Sequence, residues 1–157
     1  MIEICALASG SNGNCYYIGN SEEAVLIDVG LSFKQILKRL ETKALDPKKI
    51  KALFITHEHG DHLRGARVTG KKLGVPVYMT MGTFNAAFRT WKPISFLAVR
   101  DNDPVKIGTL TVFPILKNHD AAEPTSFRIE SNGLNIGVFT DIGAPCDNVK
   151  NHLKQCH

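Results

Sequence analysis

The four cysteines of this 157-residue chain, Cys5, Cys15, Cys146 and Cys156, form no C-x-x-C pair. That absence excludes a zinc ribbon and offers no disulfide framework, so free and mostly buried thiols are expected. No apolar stretch is long enough to span a bilayer, and "MIEICALASG" carries an acid at position 3 where a secretory leader would be basic. The expectation is a chain outside the membrane, in the cytoplasm. Low-complexity tracts, repeats and long linkers are also missing, and charged residues make up 22% against 43% hydrophobic. A disordered chain is thereby excluded, and one domain over residues 1–157 is expected.

Neither sign of charge dominates: 19 Lys and Arg stand against 15 Asp and Glu, for a net charge of +4. An anionic substrate such as nucleic acid is compatible with this balance and not required by it. The basic residues gather in two runs, residues 34–51 and 64–72, which a solvated helix face explains as well as a polyanion contact does.

What the chain does contain is ordered punctuation. "IEICALAS", "CYYIG" and "AVLIDVG" are β-like runs separated by Gly, Asn and Ser, which predicts an antiparallel beginning. In "SFKQILKRLE", Ser32 and Gln35 have capping-box spacing, and Phe33, Ile36, Leu37 and Leu40 recur at i, i+3, i+4 and i+7. An amphipathic helix is predicted there. A strand "KALFIT", a helix near residues 63–73, a strand "VPVYM" and a helix in "GTFNAAFRTW" follow. From residue 94 the runs "ISFLAV", "VKIG", "LTVFPIL", "SFRIES" and "LNIGVFT" are β-like, and residues 146–157 look like the start of a helix. Such an order predicts an α/β layered fold in which helices cover sheets.

The densest chemistry lies in "THEHGDH", residues 56–62. His57 and His59 leave the end of an apolar strand two residues apart, so in extended backbone both imidazoles point the same way. Gly60 is expected to let the chain turn back, bringing Asp61 and His62 to a neighbouring point. Glu58 should point away. The H-x-H-x-D-H spacing differs from the helical H-E-x-x-H of zinc proteases, and one such turn can supply two metals. Imidazole with carboxylate suits zinc, manganese or iron and favours a catalytic over a structural site. His119 in "KNHD" and Asp141 in "TDIG" each follow a predicted strand. A carboxylate between two ions can bridge them roughly 3.5–4 Å apart and let them share an attacking hydroxide.

"THEHGDH", with "LIDVG" before it and "NHD" and "TDIG" after it, resembles the metallo-β-lactamase fold superfamily over about residues 24–143. "ASGSNGNCYYI" at residues 8–18 is similar to the YycJ/WalJ group of that superfamily, whose members act as 5′-to-3′ exonucleases on DNA. The resemblance implies an αββα sandwich, of which this chain would hold mainly the N-terminal half, truncated at the C-terminus. It implies two divalent ions, Zn2+ or Mn2+ ahead of iron: His57, His59 and His119 hold one, Asp61 and His62 the other, and Asp141 bridges. Asp61 would also take or orient the proton of the attacking water, and Asp28 would support the histidine loop by hydrogen bonding without touching metal.

The family's last ligand comes from a second half that this sequence does not show. His152 and His157 fall where the family has no ligand and are read as helix residues. The surface left by a missing half is expected to favour self-association. Ser9, Ser11 and Asn12 in the "SGSNGN" turn are a phosphate cradle or an ordinary hairpin turn. The leading expectation is metal-dependent phosphodiester hydrolysis on DNA. Its rivals are a glyoxalase II-like thioester or lactone hydrolase, with the same metals and no polyanion groove, and a catalytically incomplete binding module.

Overall fold

The computed structural model describes residues 1–88 and 96–157. Two sheets pack face to face. In the first, β1 (Glu3–Ala8), β2 (Cys15–Gly19) and β3 (Ala24–Ile27) run antiparallel, and β4 (Ile50–Phe54), β5 (Val77–Met79) and β6 (Phe96–Ala98) add in parallel, in the order β1-β2-β3-β4-β5-β6. In the second, β7 (Val105–Ile107), β8 (Leu110–Leu116), β9 (Thr125–Ser131) and β10 (Leu134–Val138) form an antiparallel meander.

The parallel strands are apolar on both faces, as strands covered on both sides must be. Leu26 and Leu53 face a core shared with the helices, while Val25, Ile27, Ala52 and Phe54 face Val112, Phe127 and Ile129 of the second sheet. Lys51 sits where the β3–β4 register shifts, which keeps both Ile50 and Leu53 on the helical side while the charged side chain stays exposed.

Helix α1 (Phe33–Thr42) begins at the expected capping box: Gln35 N donates to Ser32 Oγ at 3.3 Å and Ser32 N to Gln35 Oε1 at 3.0 Å. Its Ile36 and Leu40 are buried. The helix expected near residues 63–73 is instead two, α2 (Gly60–Leu63) and α3 (Ala66–Leu73). The turn after His59 is made differently from the expectation. The chain steps from an extended His59 into a helical turn, and Gly60 uses no left-handed backbone; a Cβ there would meet nothing within 4 Å. Helix α4 (Met81–Phe88) follows β5. The parts of the expected helix at residues 89–91 and of the expected strand at residues 94–95 lie outside the described residues.

Helix α5 (Asp147–Leu153) covers the outer face of the second sheet. There the Arg128 guanidinium lies 3.9 Å from the centre of the Phe113 ring, and its Nε donates to His152 Nδ1 at 3.1 Å. The layers are therefore helix, sheet, sheet, helix. Of the four free cysteines only Cys15 is buried; the other three are half-buried, a correction to the expectation that most would be enclosed. Among the described residues no helix is long and apolar enough to cross a membrane.

Candidate metal centre at the strand ends

Parallel strands β3 and β4 end on the same edge of the sandwich, which is where open α/β sheets place their ligands. Asp28 follows β3, Thr56 and His57 follow β4, and from the second sheet Lys117 and His119 follow β8 while Asp141 follows β10. Both aspartates have left-handed backbone, φ 61° at Asp28 and 48° at Asp141. Non-glycine residues adopt that conformation sparingly, and it concentrates at functional sites.

The backbone stitches the site together. Asn14 N donates to Asp61 O at 2.7 Å, Gly30 N to Asn14 O at 2.8 Å, and Val29 N to His62 O at 2.7 Å. The glycine of "LIDVG" makes this possible: a Cβ on Gly30 would lie 1.6 Å from Asp61 O.

On that frame the histidine rings converge. The centroid of His57 lies 4.5 Å from that of His59, 4.1 Å from His62 and 4.8 Å from His119. Donor atoms of His57, His59 and His119 fall within 4.8 Å of one another, as do those of His57, His62 and Asp141. Asp61 Oδ2 joins the second group, 3.3 Å from His62 Nε2, and Asp141 Oδ2 lies 3.1 Å from the same nitrogen. All six predicted ligand positions thus meet at one edge. His57 belongs to both groups, an overlap that linear spacing does not show.

Asp28 orients the rings from behind. Fully buried, it accepts from Thr56 N at 2.8 Å, from the Thr56 hydroxyl, and from His62 Nδ1 at 2.7 Å. Thr56 Oγ1 in turn lies 2.8 Å from His57 Nδ1. One carboxylate thereby engages the Nδ1 side of two imidazoles and leaves each Nε2 for a cation, the usual way an outer partner sets a ligand's tautomer.

The electrostatics differ ring by ring. Burial, and then the positive charges of His62, Lys117, His59 and His119, pull His57 down to about 2, so it is neutral and its lone pair is available. Burial also opposes charge on His62, but the Asp28 hydrogen bond and the charges of Asp28, Asp61 and Asp141 outweigh it and hold His62 above its ordinary value. A cation arriving among these acids would displace that proton. His119 Nε2 is buried without a hydrogen-bond partner. An orphaned buried nitrogen is unfavourable unless something completes it, and a divalent ion among three imidazoles does so; the donor set fits the metal expected.

Glu58 points elsewhere, accepting from Ala122 N at 2.9 Å. His152 is engaged by Arg128 and Asn102, and His157 by Asn135, on the outer face of the second sheet. Beside the cluster a cleft of about 460 Å³ is lined by Ser9, Gly10, Ser11, Tyr16, Thr140 and Asp141 among others. Asn12 is exposed, and its carbonyl accepts from Arg64 at 2.9 Å. The asparagine that faces the site is Asn14, whose Nδ2 lies 3.2 Å from Asp61 Oδ2 and 3.1 Å from His62 Nε2. Sequence reasoning passed over Asn14, although it closes the "SGSNGN" run, and over Thr56, which opens "THEHGDH". Lys117 was also missed: it is buried, and its Nζ donates to Thr140 O beside Asp141. Burial holds its pKa below the ordinary lysine value, partly offset by Asp28 and Asp141. No spacing rule announces that contact.

Replacing Asp28 with Asn keeps the volume and removes one acceptor from a group that serves Thr56 and both rings. The expected result is a metal dissociation constant raised about 10- to 100-fold, read by competition with a chelating indicator; an unchanged constant would refute the orienting role.

Comparison with known proteins gives the chain a family. Residues 8–152 match the model of the metallo-beta-lactamase superfamily. The chain is 31% identical over 159 residues to exodeoxyribonuclease YycJ of Bacillus anthracis, covering 98% of this chain and 59% of the relative. It is 31% identical over 150 residues to exodeoxyribonuclease WalJ of Streptococcus pneumoniae, covering 90% and 54%. The chain therefore spans somewhat over half the length of these curated relatives. Among solved structures, a metallo-beta-lactamase of Cronobacter sakazakii with a HARLDQ motif superposes with a TM-score of 0.78 at 16% identity, over 97% of this chain and 64% of that one. At that identity the likeness speaks for the fold alone. With the family match running from the "SGSNGN" turn to α5, and the histidine-aspartate cluster on the strand ends between them, the chain belongs to the metallo-beta-lactamase superfamily.

Proposed function

We propose that this chain carries the metal-binding part of a phosphodiesterase that degrades DNA from a 5′ end, working in the cytoplasm. The observation that carries the reading is the convergence of His57, His59, His119, His62, Asp61 and Asp141, with the His119 Nε2 left orphaned. The exodeoxyribonuclease names of the 31%-identical relatives support the choice of substrate.

In this reading His57, His59 and His119 would hold one divalent ion, Zn2+ or Mn2+, and Asp61 and His62 a second, with the Asp141 carboxylate available to both. When bound, the pair supplies Lewis acidity toward the phosphoryl oxygens and a nucleophilic water at neutral pH. Asp61, about 29% exposed and facing the cleft, takes or orients the proton of that water. Asp28 and Thr56 keep the rings aimed. Ser9 and Ser11 line the cleft beside Asp61 and Asp141, so a substrate phosphate reaching the cluster would meet their hydroxyls and the N–H groups of the turn.

The test is to strip the protein with chelator, reload it with Zn2+ or Mn2+, and offer 5′-phosphorylated DNA, 5′-hydroxyl DNA and a thioester in parallel. Metal-dependent release of nucleotides, faster with the 5′-phosphate and losing that preference in Ser9→Ala/Ser11→Ala, is expected. Thioester turnover with DNA left intact would favour the glyoxalase II-like alternative. A protein retaining no metal would favour a binding module.

A further inference from the structure

The basic runs at residues 34–51 and 64–72 have no part in the metal centre. Together they hold eleven basic residues and two acidic ones, which leaves eight basic against thirteen acidic in the rest of the chain. The modest net charge of +4 thus conceals a strong segregation.

The fold brings both runs to one layer. Helices α1 and α3 both bury their apolar stripes against the same core of the first sheet, so their polar sides form one outer face. Where α1's following turn meets the end of α3, a concavity of about 490 Å³ is lined by Lys48, Lys51 and Lys72, with no acid, over a half-buried apolar floor of Leu37, Leu73 and Val75. The three lysines are exposed, and none makes an ion pair among the described residues. Lys49, by contrast, turns toward Glu3 at 3.7 Å.

The concavity lies at the start of β4 and the metal centre beyond its end, so about 17 Å of strand separates them. Arg67 and Lys71 stand four residues apart on α3, a spacing that puts them on one side, and Arg64 precedes them between α2 and α3. They lead from the site loop, where Arg64 donates to Gly60 O and Asn12 O, toward the lysine concavity. Like charges gathered this densely repel one another, and a polyanion laid along the face would relieve that repulsion.

We propose that this basic face, centred on the concavity lined by Lys48, Lys51 and Lys72, is a second contact for single-stranded DNA, holding the strand remote from the scissile bond. The ammonium groups meet phosphates, and the apolar floor takes a sugar or base edge beside the lysine stems. The inference rests on the nucleic-acid reading of the metal centre for its choice of partner and extends it to a surface that performs no chemistry.

The test uses the full chain in chelator, so that binding is read without hydrolysis, with a fluorescent 20-nucleotide single strand followed by anisotropy across a salt series. Lys48→Glu/Lys51→Glu/Lys72→Glu is compared with a control of equal charge change, Lys106→Glu/Lys150→Glu/Lys154→Glu, and thermal melts establish that both fold. The expected result is a tenfold or greater loss of affinity confined to the first variant. Its salt slope should fall by about 2, since each phosphate contact on a single strand contributes about 0.7. In metal-loaded protein, hydrolysis of a small chromogenic phosphodiester should be the same in the first variant as in the parent. Equal losses in both variants, or no binding by the parent, would overturn the proposal. A parent that binds through these lysines but never hydrolyses DNA would sink the nuclease reading and leave the surface standing.

Discussion

His57→Ala is expected to lower metal-dependent hydrolysis of DNA about a thousand-fold or more while the chain remains folded. His57 Nδ1 is engaged by Thr56, so its one free nitrogen is the donor lost from the three-histidine group, and the neighbouring group loses the ring that packs against His62. Metal ions contribute several kcal/mol of transition-state stabilisation, and each ~1.4 kcal/mol is a factor of ten in rate. The fold should survive because Thr56 keeps its bonds to Asp28 when the ring is gone. A cavity of this kind costs about 2–4 kcal/mol of a typical 5–15. The measurements are kcat/KM on 5′-phosphorylated DNA, metal per chain by emission spectrometry, and the melting temperature of the chelated protein. Glu58→Ala is the matched control, since Glu58 turns its carboxylate to Ala122 N, and it should keep its metal. Full activity and an unchanged metal content in His57→Ala would sink the assignment.

Gly30→Ala should damage the protein from the opposite side, through its frame. The added methyl would lie 1.6 Å from Asp61 O and 2.6 Å from Asn14 N, far inside any tolerated contact, and both neighbours are backbone that cannot swing aside. Relief requires parting the loop after β3 from the histidine turn, which breaks the Gly30–Asn14 and Asn14–Asp61 hydrogen bonds. Overpacking with loss of buried hydrogen bonds is expected to cost about 3 kcal/mol or more. The readouts are the denaturant midpoint and the metal content, and both should fall. Gly60→Ala, four residues after Thr56 and with nothing near its Cβ, should leave the midpoint unchanged or raise it. An unshifted midpoint for Gly30→Ala would mean that the close approach is not required.

The contrast between these two glycines shows where sequence reading reached its limit. Gly60 stands inside the metal motif and looked like the hinge, yet the chain turns there by entering a helix, a conformation open to any residue. Gly30 looked like the end of a strand motif, and its necessity comes from Asp61, thirty-one positions away. A steric demand between distant segments has no local signature. The same reason hid Lys117, whose partner is Thr140 O, and Asn14, whose partners are Asp61 and His62.

By itself the sequence determined the elements that local chemistry dictates: the capping box that starts α1, the apolar runs that become β3 and β4, and a histidine-aspartate turn too dense in ligand types to be an ordinary loop. Such features follow from side-chain periodicity and capping within a few residues. Only the tertiary structure decided that Asp28 faces His62 and reaches His57 through Thr56, that His57 stands in both donor groups, and that two separate basic runs share one face. Those outcomes depend on how two sheets stack and where four strands end together. The energy that selects them is the burial of Val25, Ile27 and Phe54 against Val112, Phe127 and Ile129, a non-directional attraction whose geometric consequences appear only once the layers have closed.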